Sequence, residues 1–210
     1  RVKICGVTNP QQAITIVNLG ATVLGFMCVS TSPRYLKPNQ IKNIISQLPL
    51  QIDKIGVFAN ADPEEVAKII KDTRLTGAQL HGNESPTYCQ QLKQLLGKEI
   101  ELIKAFRIEH SASLAEIENY HNYADTLLLD AYHPQLLGGS GVTIDWSILA
   151  EFQPPLPWFL AGGLTPNNVL DALNTLKPDG IDLSSGVERS PGDKDFGKVA
   201  QLFSKLKNRI

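Results

Sequence analysis

Eight times along the chain a short apolar, β-branched run gives way to a longer segment of helical period, with Gly, Pro, Asn, Asp or Ser at the joins. The apolar runs predict strands over residues 2–5, 23–29, 54–58, 77–80, 101–106, 126–130, 158–161 and 180–183. The intervening segments predict helices over 9–19, 39–47, 62–72, 85–96, 111–123, 146–151, 166–175 and 195–208. Four helix starts pair a capping side chain with a following proline: Asn9–Pro10, Asp62–Pro63, Ser85–Pro86 and Thr165–Pro166.

Strict alternation of strand and helix implies a parallel sheet covered by helices. Eight such units in 210 residues suit a closed (β/α)8 barrel, the TIM-barrel form of the α/β class, somewhat shorter than the roughly 250 residues usual for it. An open doubly wound sheet is the rival, but no GxGxxG follows the first strand. No composition break marks a linker, so residues 1–210 are expected to form a single domain.

Twenty Lys and Arg against twenty-one Asp and Glu leave a net charge of −1, which offers no field to gather nucleic acid or an anionic membrane. A small molecule is the expected partner. Cys5, Cys28 and Cys89 are odd in number, far apart and without metal-ligand spacing, so neither a disulfide framework nor a metal centre is expected. With no signal-like N-terminal segment and no run of 18 apolar residues, a soluble cytoplasmic protein is expected. Its oligomeric state is left open, a monomer being the simpler expectation.

Active sites of barrels of this kind are built from the C-terminal ends of the strands and the loops after them. Here those ends read KICG, GFMCVSTSPRY, GVFAN, QLHG, KAFR, LLLDAY, FLAGG and DLSSGVE. The loops after strands seven and eight, with Gly162, Gly163, Ser184, Ser185 and Gly186, stand where barrels often hold phosphate through amides and hydroxyls, although each glycine alone is also explained by a tight turn. Cys5 and Asp130 end strands one and six, and a thiolate with a carboxylic acid is a workable proton-transfer pair. Lys3, two residues before Cys5 on the same strand face, is the candidate to favour the thiolate; a small buried hydrophobe is the plain alternative for the cysteine. Asp130, ending the run TLLL, needs a cap, a partner or a task.

Arg34 in SPRY suits carboxylate recognition or an exposed surface, and His81 in QLHG suits ligand contact or a local hydrogen bond. Arg107 and Asp182 are candidates for the pocket or for a buried network, with Asp182 placed to order the serine loop rather than to catalyse. Packing accounts for Cys28 and Cys89. The glycine-rich segment 138–146 reads as a lid or as a flexible connection.

Taken in order, KICG, SPRY, GVF, QLHG, KAF, LLLDA, GGSG, LAGGL, DLSSGVE and PGDKD resemble the phosphoribosylanthranilate isomerase family over essentially the whole chain. The resemblance implies an Amadori rearrangement of N-(5′-phosphoribosyl)anthranilate to 1-(o-carboxyphenylamino)-1-deoxyribulose 5-phosphate, in tryptophan biosynthesis, with no metal or organic cofactor. It further implies Asp130 as general acid, Cys5 as general base, Arg34 facing the anthranilate carboxylate, His81 lining the pocket, and a phosphate site at Gly163 and residues 184–186. Gly6 is expected to let the substrate approach. A histidine-pathway sister isomerase is the nearest alternative, but its relatives carry an aspartate at the position of Cys5; a barrel that only binds a metabolite or protein is a second.

Overall fold

The computed structural model describes residues 1–131 and 145–207. In chain order these form β1 (Val2–Cys5), α1 (Pro10–Leu19), β2 (Val23–Met27), α2 (Pro38–Ile45), β3 (Asp53–Phe58), α3 (Pro63–Thr73), β4 (Gly77–Leu80), α4 (Pro86–Leu96), β5 (Glu101–Ile108), β6 (Thr126–Ala131), β7 (Trp158–Leu160), α5 (Val169–Thr175), β8 (Gly180–Leu183), β9 (Glu188–Ser190), β10 (Asp193–Lys194) and α6 (Phe196–Lys207). Strands β1 to β8 pair in sequence order, and parallel pairing of β1 with β8 closes the barrel. The expected α/β barrel is therefore the fold.

Three of the four expected caps form: Asn9 accepts from the Gln12 amide at 2.9 Å, Asp62 from Glu64 at 2.9 Å, and Ser85 from Tyr88 at 3.2 Å. The fourth does something else. Thr165 Oγ1 accepts from the amides of Asn167 and Asn168, while Asn168 Oδ1 accepts from the Thr165 amide at 2.7 Å, so side chains close a turn and α5 starts only at Val169, not at Pro166.

The helix expected over 111–123 is instead two short 3-10 turns, Ser111–Leu114 and Ile117–Tyr120. The reason lies in the spacing: Leu114, Ile117 and Tyr120 recur every three residues and all pack on the core, the period of a 3-10 rather than an α-helix. Residues 146–151 likewise yield only the 3-10 turn Trp146–Leu149, started by Asp145 accepting from the Ser147 amide at 3.0 Å. Beyond β8 a hairpin appears that the eightfold reading did not contain, β9 pairing antiparallel with β10 around Pro191 and Gly192. The lid expected over 138–146 lies outside the described residues as far as residue 144.

Side chains alternate faces along a strand, so positions two apart share one. On the inner face Val23, Ile55, Ile103, Leu128 and Phe159 form an apolar layer with Ala105 and Ala161, separate from the larger core between sheet and helices. At the N-terminal end Arg1 pairs with Asp53 at 2.8 Å and Glu101 at 2.6 Å and stands over the Phe159 ring at 4.9 Å. Cys5, His81, Asp130 and Ser184 stand at the opposite end, where β1, β4, β6 and β8 finish. None of the described helices is long and apolar enough to cross a membrane.

Candidate active site

Where the strands end, a cavity of about 580 Å³ opens, within the range of small-molecule sites. It is lined by all nine expected site residues: Cys5, Arg34, His81, Asp130, Gly162, Gly163, Ser184, Ser185 and Gly186. Met27 at the end of β2, with Val29, Thr31, Ser32 and Pro33 from the loop after it, supplies a wall of small and apolar groups. Asp182 also lines it, whereas Arg107 does not and donates to Asn83 Oδ1 at 2.8 Å on the loop after β4.

Asp130 is buried at the end of β6, and its Oδ1 accepts from the Ala131 amide at 2.9 Å. Its other oxygen lies 3.3 Å from His81 Nε2, close enough to interact electrostatically though not aligned as a hydrogen bond. The far side of the imidazole, Nδ1, meets the Gln79 side-chain amide nitrogen at 2.8 Å. A donating amide there makes Nδ1 the acceptor and leaves the proton on Nε2, facing Asp130. Gly162 brings β7 against this carboxylate: a Cβ there would lie 2.5 Å from the Ala131 nitrogen and 3.1 Å from Asp130 Oδ1.

Cys5 sits on the inner face between charged neighbours. Its backbone pairs with Gly25 on β2, where a side chain would run into the sulfur at 2.6 Å, so only glycine leaves room for the thiol. Burial pushes the Cys5 thiol up; the Lys3 ammonium pulls it down, Asp182 pushes it up again, and Lys194 pulls it down, with the rise prevailing. Lys3 itself is fully buried and ion-paired to Asp182 at 2.8 Å; burial pulls its own value down, but Asp182 and Cys5 outweigh that and hold it raised. The second oxygen of Asp182 has no partner among the described residues and is buried.

Arg34 is buried, not surface-exposed, and its planar fork is held by Glu188: Nε and Nη2 donate at 2.9 and 2.6 Å, leaving Nη1 without a hydrogen bond among the described residues. Its stem fills the space beside Gly6, where a Cβ would meet Arg34 Cδ at 2.4 Å. Gly6, at φ +75°, thus makes way for the arginine, a different reason from the substrate approach that was expected. Lys194, fully buried on β10, donates to Glu188 Oε1 at 2.7 Å and to the Cys5 carbonyl. Arg34 and Lys194 together hold the Glu188 carboxyl below its usual value although burial pushes it up.

Gly162 and Gly163 both adopt positive φ, +84° and +60°, and neither donates its amide to another described residue. Facing them are the 3-10 turn Ser185–Val187 and Ser184, whose hydroxyl donates to the Cys5 carbonyl at 3.1 Å. Gly186 lies against the β7 loop, where an added Cβ would lie 1.9 Å from the Leu164 carbonyl oxygen.

Sequence reasoning did not single out Gln79, Glu188 or Lys194. Gln79 had a readable signal, since it stands two residues before His81 and so shares its face. Glu188 and Lys194 stood inside quoted motifs, but only the β9–β10 hairpin shows that they meet.

A family profile described as N-(5′phosphoribosyl)anthranilate (PRA) isomerase matches residues 2–205. The N-(5′-phosphoribosyl)anthranilate isomerase of Rippkaea orientalis is 59% identical over 206 residues, covering 98% of this chain and 95% of that one. Among solved structures, phosphoribosyl anthranilate isomerase from Thermotoga maritima is similar with a TM-score of 0.90 and 33% identity, covering 99% of this chain and 98% of that one. A phosphoribosyl anthranilate isomerase in complex with reduced 1-(o-carboxyphenylamino)-1-deoxyribulose 5-phosphate is similar with a TM-score of 0.87 and 32% identity, over 99% and 98% of the two chains.

Proposed function

The chain belongs to the N-(5′-phosphoribosyl)anthranilate isomerase family, and from that premise we propose that Cys5 and Asp130 are the base and acid of its reaction. The enzyme converts N-(5′-phosphoribosyl)anthranilate to 1-(o-carboxyphenylamino)-1-deoxyribulose 5-phosphate in tryptophan biosynthesis. One observation carries the assignment of roles: an unpaired thiol and a carboxyl, from β1 and β6, line the same cavity as the glycine and serine loops.

The rearrangement begins with the furanose ring oxygen, a poor leaving group until protonated. Asp130 delivers that proton, the C1′–O bond breaks, and the ring opens to an iminium. The iminium withdraws electrons and acidifies C2′–H, which the Cys5 thiolate removes. The resulting enolamine takes a proton at C1′ while its C2′ hydroxyl becomes the ketone. Every bond change is a proton transfer or the ring opening, so side-chain acid and base suffice.

The rest of the site holds the two ends of the substrate. Arg34, its Nε and Nη2 occupied by Glu188, presents Nη1 to the anthranilate carboxylate. Gly162, Gly163, Ser184, Ser185 and Gly186 take the phosphate through backbone amides and hydroxyls. His81 stands beside Asp130, on the wall where the ring opens. Residues 1–210 work as one domain, and the three unpaired cysteines suit a reducing cytoplasm.

A reaction run in deuterium oxide tests the route. Loss of the C2′ proton to Cys5 and reprotonation at C1′ introduce solvent deuterium at C1′ of the product, read by NMR. A direct hydride shift from C2′ to C1′, with loss of the C2′ hydroxyl proton, would leave C1′ without deuterium and take Cys5 out of C2′–H abstraction.

A further inference from the structure

Two separate cations reach Cys5, and only one of them shares its strand. Lys3 approaches from the inner face of β1, held by Asp182 of β8. Lys194 approaches from the hairpin, with no exposed surface, bonded to the Cys5 carbonyl and to Glu188. Arg34 adds a third positive charge from the loop after β2, its stem packed beside Gly6, and shares Glu188 with Lys194. The cluster thus holds three buried cations against two carboxylates, Asp182 and Glu188. Negative charge developing on Cys5 therefore meets a surplus of positive charge, although burial raises the thiol and also pulls Lys194 down.

We propose that Lys194 is a positioning residue that supports the Cys5 thiolate alongside Lys3, and that Glu188 is the shared anion setting how much of the Lys194 and Arg34 charge reaches it. The proposal rests on the reading of Cys5 as the base. Hairpin β9–β10 then has a task in the reaction: it carries both Glu188 and Lys194 over the barrel mouth, closing a loop of charge from the anthranilate end of the site to the thiol. The other ionisable groups facing this region are Asp130 and His81, which line the cavity from β6 and the end of β4, while Cys28 couples to Cys5 electrostatically from a separate groove beside Tyr35 and Pro38. Direction agrees with geometry, because Lys3 and Lys194 each pull the thiol down against its burial.

The two partners should act with opposite sign. Replacing the cation, Lys194→Met, should raise the pH at which Cys5 ionises by about one unit, a roughly tenfold slower reaction of Cys5 with iodoacetamide at neutral pH. Replacing the anion, Glu188→Gln, should lower that pH and quicken the reaction, while raising KM as Arg34 loses its holder. Alkylation is followed peptide by peptide, so that Cys28 and Cys89 do not contribute, and urea unfolding confirms that each variant is folded; Lys194→Gln replaces the methionine variant should that one not fold. A purely structural role loosens the site in both variants, so shifts of the same sign, or none, would overturn the proposal. Its failure is separable from that of the premise: full turnover in Cys5→Ser would remove Cys5 as base, whatever the alkylation rates show.

Discussion

Cys5 has to lose a proton before it can take one from C2′, and burial with the Asp182 charge opposes that loss more than Lys3 and Lys194 favour it. Because the reacting form needs Cys5 deprotonated and Asp130 protonated, kcat/KM should be bell-shaped with pH, the limb that belongs to Cys5 lying above the ordinary thiol value of about 8.5 because burial raises it. A profile with no limb above about pH 8.5 would contradict Cys5 as the base. Removing the thiol, Cys5→Ser, should lower kcat by roughly 10²–10⁴-fold while leaving affinity for the reduced product analogue nearly unchanged, since the anion contacts remain. Arg34→Ala should chiefly raise KM, and should cost about 1.5–3 kcal/mol in urea unfolding because buried Glu188 keeps Lys194 but loses a charged partner. An unchanged KM would take Arg34 out of substrate binding. At this scale Cys5, Asp130 and Arg34 were legible in the sequence because strand ends and motif order mark them. Their holders were not: Glu188 lies 154 residues from Arg34, and Lys194 lies 189 from Cys5.

The elements divide by how locally their causes act. Helices α1, α3 and α4 are announced by a cap and a proline within four residues, and the structure begins them there. Where side chains compete for the same amides, as Thr165 and Asn168 do, the same signal gives a turn instead. Spacing settled the two 3-10 turns after β5, and the helical expectation missed a period of three. The β9–β10 hairpin is short, and Pro191–Gly192 signals a turn without saying what it covers. Two substitutions separate structural from functional elements. Asp62→Ala should cost about 1 kcal/mol of stability through the lost α3 cap and leave turnover intact. Gly186→Ala should do both kinds of harm, because its Cβ would meet the immovable Leu164 carbonyl and force the β7 and β8 loops apart. A Gly186→Ala enzyme with unaltered KM would remove that turn from the phosphate site.

At the scale of the molecule, eight repeats of one unit made the barrel legible, because no single element has to be read correctly for the alternation to be seen. The inner face was less so: ionic groups at both ends of the barrel, Arg1 with Glu101 below and Arg34 with Glu188 above, depend on which strands closure brings together. Both glutamates are held below their ordinary value despite burial, by Arg1 and Thr126 in one case and by Arg34 and Lys194 in the other. Their contribution to stability is therefore fully present above the unfolded glutamate value of about 4.3, and is lost as pH falls through the lower folded values. Unfolding free energy measured from pH 6 to pH 3 should drop, and drop less in Glu101→Gln; equal slopes would show that Glu101 is not held in this way. Among described large apolar residues only Tyr35, Leu50 and Leu95 are exposed, scattered over α4 and two loops.

Turnover itself decides whether this barrel is the isomerase. Freshly prepared N-(5′-phosphoribosyl)anthranilate is mixed with the enzyme and the loss of its anthranilate fluorescence followed, with Asp130→Asn purified in parallel. The wild type should lose fluorescence rapidly, and the variant at no more than the spontaneous rate. A wild-type rate no faster than spontaneous decay would contradict the isomerase, and a fully active Asp130→Asn enzyme would contradict its acid.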